Sequence, residues 1–245
     1  MSNKKFLVDS KQQEIIISVL GKFKKKYKGN EKRKIITFDD LYGFVSPEEE
    51  KFIVYFLNLD PHDFGFRGSF LGITDVPENL VIIRNQKIKS AQASLDDDES
   101  KPGVISPQFI PENIYAAFKK LDLAIKKDLA KSLRIESGYR SPAYQLITLF
   151  SFLEHNNFNT KKVFKLVAFP GYSEHGYPPK QALDLMTEEG IPSVDKPLDM
   201  VKTPEYKWLL INAKNYGFYL SYPKNNADGI TFEPWHWHYE EKLSS

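Results

Sequence analysis

Residues 229–241 read GITFEPWHWHYEE, and this stretch predicts the last strand of a sheet. It contains Glu233 and two of the chain's five histidines, His236 and His238. Side chains two apart on a regular strand point to the same face, so the two imidazoles would lie together. Two interpretations follow: an aromatic-rich strand whose histidines hydrogen-bond to neighbours, or half of a metal site.

The composition restricts the chemistry that such a site could use. The chain has 245 residues, a net charge of +2 and no cysteine. Thiolate catalysis, cysteine-ligated zinc and disulfides are therefore excluded. A transition-metal site would need ligands from histidine, aspartate or glutamate. The small net charge gives no indication of a nucleic-acid partner.

The hydrophobic periodicity upstream predicts an α+β fold. Residues 111–133 place apolar side chains on one face of a helix. RIESGYRSPAYQLITLFSFLEH then predicts a short strand, a turn at Ser137 and Gly138, and a second helix. QALDLM predicts a strand, residues 204–216 a helix that ends at Gly217, and FYLSY and ITFEPWHWHY two further strands. We expect an antiparallel sheet packed against helices, because the strands are short and follow helices.

The first hundred residues carry weaker signals. SPEEEKF predicts a helix start with Ser46 as its N-cap. The apolar run IIISVLG, residues 15–21, follows a polar segment and predicts an amphipathic helix, not a signal peptide; no run is long enough to span a membrane. The acidic loop SLDDDESKPG, residues 94–103, lacks the ligand spacing of an EF-hand, so calcium is not expected.

Three separated stretches hold the residues that could take part in catalysis or metal binding: SGYRSPAYQ, SEHGYPPKQALD and EPWHWH. A hydrolytic zinc site needs three protein ligands, a carboxylate base and a cation for the oxyanion. His175, Asp184 and His236 could supply the ligands, Glu233 the base and Arg140 the cation. Asp184 alternates with apolar residues on its strand and needs a partner, for which a metal is one candidate. Spacing alone leaves that choice open.

In kind and order these stretches resemble the zinc D,D-peptidases of bacterial cell walls. The family pattern is Ser-Gly-Tyr-Arg-Ser with a following Gln, then Ser-x-His, then a closing Asp, and last Glu-x-Trp-His. The resemblance covers roughly residues 105–240 and implies the hedgehog/D,D-peptidase-like zinc fold. It divides the chain into a catalytic domain at residues 105–245 and an N-terminal extension of unknown role at residues 1–104, part of which could pack on the catalytic domain.

The resemblance also implies a role for each matching residue. His175, Asp184 and His236 would bind one Zn²⁺ per chain. Glu233 would be the general base, and Arg140 would stabilise the charge on the substrate carbonyl. The residues expected to contact the substrate are Ser173 and Gln145, which would hold its terminal carboxylate or backbone, and Tyr139 and Trp235, which would wall the pocket.

The implied function is a zinc-dependent D-alanyl-D-alanine carboxypeptidase that removes the terminal D-alanine from peptidoglycan stem peptides. One alternative keeps the chemistry but cuts the L-alanyl-D-glutamate bond, as phage endolysins do. Another is a non-catalytic zinc-containing binding module, because hedgehog signalling domains share this fold. A peptidoglycan substrate implies the bacterial cell envelope, although a cytoplasmic location or release as a phage lysin also fits. The chain is expected to act as a monomer.

Two features depart from the family pattern. Eight residues separate His175 from Asp184, which is longer than usual, and Gln181 stands where a glycine is expected. A loop extension can carry this difference, but it puts the pocket rim in question. His238 stands where relatives often carry arginine, and we expect it beside the metal site, not as a fourth ligand. A serine hydrolase is not expected, because Ser173 lies in no G-x-S-x-G motif.

Overall fold

The computed structural model describes residues 8–90, 103–192, 196–227 and 230–241. Its α-helices are α1 Ser10–Lys26, α2 Phe38–Tyr42, α3 Pro47–Leu57, α4 Glu112–Leu129, α5 Pro142–His155, α6 Thr160–Val163 and α7 Pro204–Asn212. Its strands are β1 Leu80–Ile83, β2 Gln86–Lys87, β3 Val104–Ile105, β4 Gln108–Pro111, β5 Leu133–Ser137, β6 Ala182–Thr187, β7 Phe218–Leu220 and β8 His236–Tyr239. The acidic stretch considered for calcium falls almost entirely outside the described residues.

The chain forms two compact units. The first comprises the described parts of Met1–Val76, Arg140–Gly176 and Ala227–Thr231, and the second those of Pro77–Tyr139, Tyr177–Asn226 and Phe232–Ser245. The helices α1 to α3 thus belong to the same unit as α5, which lies in the motif-bearing part of the sequence. The predicted domain division at residue 104 remains a prediction.

The first unit is a helical assembly with its own hydrophobic core. Helix α1 starts at a capping box on Asp9 and buries residues at helical spacing, namely Ile16, Val19, Leu20 and Phe23. Helix α3 starts at the predicted Ser46 N-cap, again with a capping box. Helix α5 is buried along most of its length, and Phe150 packs edge-on against Phe56 with ring centroids 5.2 Å apart.

The second unit contains a four-stranded sheet with strand order β5-β6-β8-β7, in which every pair is antiparallel. Helix α4 buries one face against it, made of Ile114, Phe118, Leu121 and Ile125. Leu183 and Leu185 of β6 belong to the same core, so Asp184 between them lies on the other face. Strands β1 and β4 form a separate two-stranded sheet, as do β2 and β3. The predicted α+β class and the antiparallel sheet packed against helices are confirmed.

The final strand is shorter than the sequence predicts. Strand β8 begins at His236, whereas the pattern ITFEPWHWHY suggested a strand from residue 230. Pro234 has no N–H to donate to a strand ladder, and the backbone from Glu233 to His236 forms a turn in which His236 N donates to Glu233 O at 3.2 Å. Within the described ranges, no helix is both long and apolar enough to cross a membrane.

Candidate metal centre

Asp184 and His236 are brought together by the register of the sheet. They are direct partners on β6 and β8, and His236 Nδ1 lies 2.9 Å from Asp184 Oδ1. On the other side of β6, Asp184 pairs with Ser137 of β5. The register shifts by one residue between Ile135 and Ser137, so a serine and not Glu136 stands opposite the aspartate. This row therefore avoids two directly opposed carboxylates.

Glu233 reaches His236 through the turn that precedes β8. The turn spans four residues, with Pro234 at its second position, where proline pre-sets the backbone angle. It places Glu233 Oε2 3.7 Å from His236 Nδ1, with the Glu233 side chain 25% exposed. Glu233 N also donates to Tyr222 O at 3.1 Å. The Glu-Pro-Trp-His spacing thus presents a partly exposed carboxylate beside a buried imidazole.

His175 lies on a single 3₁₀ turn, Glu174–Gly176, and is 2% exposed. Its carbonyl oxygen accepts a hydrogen bond from Arg140 N at 3.0 Å. A potential ligand atom of His175 lies with those of Asp184 and His236 in one group, in which all three atoms are within 4.8 Å of one another. The structure therefore assembles the three residues that the sequence proposed as ligands.

The donor set suits a divalent transition metal. Two imidazoles and one carboxylate are the three-ligand combination of catalytic zinc sites, which keep a further position open for water or substrate. Among the described residues, no other group of three such side chains meets the same distance limit. A histidine buried next to a carboxylate can also be a simple ion pair, but a second imidazole in the same group favours a cation.

The remaining histidines make other contacts. His238 Nδ1 lies 2.7 Å from Ser221 Oγ and its Nε2 lies 3.1 Å from Glu240 Oε1. His238 is not part of the group of His175, Asp184 and His236, and its expected place beside the metal site remains a prediction. His62 bonds to Asp60 and to a backbone carbonyl, and His155 bonds to the carbonyl of Ser151 near the end of α5.

The SGYRSPAYQ stretch connects β5 to α5. A Cβ on Gly138 would overlap the carbonyl oxygen of Phe109, so only glycine fits there. Ser141 is the N-cap of α5, accepting from Tyr144 N at 3.2 Å. Between these residues, Arg140 is half-buried, and its backbone N–H contacts the carbonyl of His175. Gly138 and the Ser141 cap thus hold the backbone of Arg140 where its N–H donates to the carbonyl of His175.

The four residues predicted to contact substrate differ in exposure. Tyr139 is fully buried, Gln145 and Ser173 are 2% and 8% exposed, and Trp235 is half-buried. Gln145 Nε2 donates to Ala168 O at 2.8 Å, while its Oε1 is buried without a hydrogen-bond partner among the described residues. The roles of all four residues remain predictions.

The longer loop between His175 and Asp184 is accommodated before the strand begins. It forms a 3₁₀ turn, Pro178–Lys180, and then enters β6. Gln181, which stands where a glycine was expected, is fully buried, and its carbonyl accepts from Tyr239 N at 2.9 Å. The extra residues therefore change the loop but leave the strand pairing that holds Asp184 intact.

Sequence reasoning missed three residues near the group. Tyr222 packs its ring at 4.9 Å from that of His236 and accepts the N–H of Glu233. Ser221 bonds to His238, and Ser137 stands opposite Asp184. The stretch FYLSYP, just before the last strand, was the available signal for the first two, because consecutive antiparallel strands usually pair. The position of Ser137 opposite Asp184 depends on the register shift, which no local sequence pattern predicts.

Comparisons with known proteins identify the family to which the chain belongs. The family model described as VanY, D-alanyl-D-alanine carboxypeptidase, matches residues 108–242. The candidate carboxypeptidase YodJ of Bacillus subtilis strain 168 is 30% identical over 179 residues, covering 69% of this chain and 63% of that protein. The bifunctional D-Ala-D-Ala dipeptidase and carboxypeptidase VanXYC of Enterococcus gallinarum is 30% identical over 119 residues, covering 45% and 57%.

Among solved structures, the LdcB LD-carboxypeptidase is similar with a TM-score of 0.49 and 27% identity, covering 66% of this chain and 68% of that one. The chain spans less than two thirds of the length of the two curated relatives named above.

Proposed function

Since this chain belongs to the VanY family of D-alanyl-D-alanine carboxypeptidases, we propose that it removes the terminal D-alanine from peptidoglycan stem peptides in a zinc-dependent hydrolysis. The observation that carries the proposal is the group of His175, Asp184 and His236, whose potential ligand atoms lie within 4.8 Å of one another. A partly exposed carboxylate, Glu233, adjoins this group through His236. Three ligands and a neighbouring base are the inventory of a hydrolytic zinc site.

The residues present fit a zinc ion. His175 and His236 would offer imidazole nitrogens and Asp184 a carboxylate oxygen, which are ligand types that zinc accepts in proteins. Zinc at this position would supply a Lewis acid that polarises the scissile carbonyl and makes water more acidic. Glu233 does not belong to the group of potential ligand atoms that lie within 4.8 Å of one another, which supports a role for Glu233 beside the ligand set and not within it.

Glu233 would act as the proton carrier. Its carboxylate takes a proton from the attacking water and then delivers it to the amine of the departing D-alanine. The balance is one water consumed, one C–N bond broken, and one carboxylate and one amine released. The turn at Pro234 holds this carboxylate close to His236, which reduces the conformational freedom it would otherwise lose in the reaction.

The cationic and polar residues would hold the substrate. Arg140 would stabilise the negative charge that develops on the carbonyl oxygen, as donors do in oxyanion holes. Ser173 and Gln145 would bind the terminal carboxylate or the backbone of the peptide. Trp235 would form part of the wall, with the fully buried Tyr139 supporting it from the interior.

The test is cleavage of a synthetic stem pentapeptide that ends in D-Ala-D-Ala, with products identified by mass spectrometry. Zinc-loaded protein is expected to release one alanine, and chelator-treated protein is expected to release none. Glu233→Gln should keep stoichiometric zinc and lose roughly 10²–10⁴-fold in turnover, the usual contribution of a general base. Glu240→Gln is the matched control, because Glu240 is an exposed glutamate of the same segment outside the proposed machinery.

Other outcomes each replace part of the proposal. A stem split between L-alanine and D-glutamate would identify an endopeptidase. Stoichiometric zinc without any cleavage would favour a binding module. Undiminished turnover in Glu233→Gln, or in metal-free protein, would refute the assigned roles. The proposal also places the reaction at the bacterial cell envelope and treats the enzyme as a monomer, which light scattering of the purified chain would test.

A further inference from the structure

An extended segment at residues 70–74, called the strap from here on, lies against the loop that carries His175. The strap precedes the part of the chain matched by the family model, residues 108–242. Leu71 N and Gly72 N both donate to Gly171 O, at 2.8 and 3.1 Å. Thr74 Oγ1 donates to Gly176 O at 3.1 Å. Both ends of residues 171–176, called the histidine loop, are therefore hydrogen-bonded to the strap.

The packing between strap and histidine loop is close. Gly171 has a φ of +83°, and a Cβ there would lie 2.5 Å from the ring of Phe70 and 3.2 Å from Ile73. The ring of Phe70 contacts that of Tyr172 edge-on, with centroids 5.1 Å apart. Phe70 nevertheless remains 60% exposed. The two segments therefore fit closely at Gly171, although much of the Phe70 ring remains exposed to solvent.

The histidine loop has little structure of its own to hold it. Its single 3₁₀ turn, Glu174–Gly176, is closed by the bond from Gly176 N to Ser173 O at 3.1 Å. Arg140 N bonds to His175 O, and a Cβ on Gly176 would lie 2.9 Å from Arg140 O. One short turn provides few internal hydrogen bonds, so the position of the loop depends on its neighbours. Those neighbours include Arg140 and the strap.

We propose that the strap positions His175 for metal binding and that Thr74 is its positioning residue. The inference rests on the proposed function in one respect, namely that His175 binds zinc. The Thr74 hydroxyl holds the carbonyl of Gly176, the residue directly after His175, and so restricts the backbone from which the imidazole projects. Outer contacts that orient a ligand commonly change metal affinity by 10- to 100-fold. An element outside the family's matched region thus contributes to the metal centre.

The experiment compares Thr74→Val with Thr148→Val. Both replacements remove a hydroxyl from a half-buried threonine of the first unit that donates to a carbonyl at 3.1 Å, but Thr148 bonds to Tyr144 within α5. Zinc affinity is measured by competition with a chromophoric chelator. We expect zinc binding to weaken about tenfold in Thr74→Val, to stay unchanged in Thr148→Val, and to be restored in Thr74→Ser. Far-UV circular dichroism confirms that each variant is folded.

A second measurement separates this proposal from the function. Hydrogen exchange of residues 171–176 is followed in metal-free protein, where we expect faster exchange in Thr74→Val than in Thr148→Val. Equal exchange in the two variants, or equal zinc affinity, would overturn the positioning role of Thr74. If the unmodified chain binds no zinc, the proposed function fails, while the exchange comparison still decides whether the strap holds the loop.

Discussion

The carboxylate of Glu49 ties α1 to α3 in the first unit, and its replacement tests how that unit is stabilised. It accepts hydrogen bonds from Ser18 Oγ at 2.7 Å, Lys22 Nζ at 2.6 Å and Ser46 N at 2.6 Å. The Glu49 side chain is only 7% exposed. A buried carboxylate with three donors is stabilised in its ionised form, and removing its charge leaves those donors poorly matched.

The loss of stability expected for Glu49→Gln follows from the pKa of Glu49. Burial alone would raise this pKa, but the bonds from Lys22, Ser18 and Ser46 and the charge of Lys22 outweigh burial and lower it from 4.5 to about 2. That difference in pKa corresponds to a contribution of at most ~3.4 kcal/mol to the free energy of unfolding at neutral pH. Because Lys22 is 40% exposed, solvent screening reduces the expected cost of Glu49→Gln to about 2 kcal/mol.

The pH dependence has a definite sign. The pKa of Glu49 is lower in the folded protein than in the unfolded chain, so its contribution is complete above about 4.5 and is lost as the pH falls through about 2. Urea unfolding of metal-free protein, followed by far-UV circular dichroism, gives the free energy of unfolding at each pH. The difference between the unmodified chain and Glu49→Gln should shrink steadily over that interval.

Glu48→Gln is the matched control on the same helix. Glu48 pairs with Lys11 at 2.7 Å, but the two side chains are 62% and 73% exposed, so no measurable loss is expected. A difference between the unmodified chain and Glu49→Gln that stays constant from neutral pH to about 2.5 would refute the charge-based reasoning. An equal loss in Glu48→Gln would refute the importance of burial.

Two further substitutions test the second unit. Leu121→Ala, at a fully buried position of α4, should lower the free energy of unfolding by about 2–5 kcal/mol. Its control, Leu123→Ala, changes a side chain that is 68% exposed and should alter that free energy by no more than about 0.5 kcal/mol. Equal losses in urea unfolding would contradict the assigned core. Gly138→Ala should lower the melting temperature, because the added Cβ overlaps the carbonyl of Phe109; an unchanged transition in a thermal scan would show that the β5–α5 connection adapts.

Several local features could be predicted because their signals are contained in a few consecutive residues. Ser46 and Pro47 mark the start of α3, and the periodicity of residues 111–133 marks α4. The error at the last strand is local as well. Pro234 was sufficient to end a strand pattern, but the alternation of aromatic residues after it outweighed that signal in the prediction.

The sequence did not predict which helices share the core of the first unit. Helix α5 carries part of the motif pattern, yet its core is shared with α1, α2 and α3, which the sequence pattern left without a role. Leu146, Leu149 and Phe150 of α5 are fully buried. Apolar side chains show that a helix is buried but not which elements cover it, because hydrophobic contact is not directional.

The sequence by itself determined the chemical inventory: no cysteine, two histidines and an aspartate as potential ligands, and a Glu-Pro-Trp-His spacing that presents a carboxylate beside an imidazole. Only the tertiary structure decided which partners meet. It aligned Asp184 with both His236 and Ser137, and it set the strap against the loop of His175. The physical reason is range: caps and turns are set by backbone bonds over three or four residues, whereas register and loop packing depend on elements far apart in the chain, whose contacts form only when the cores close.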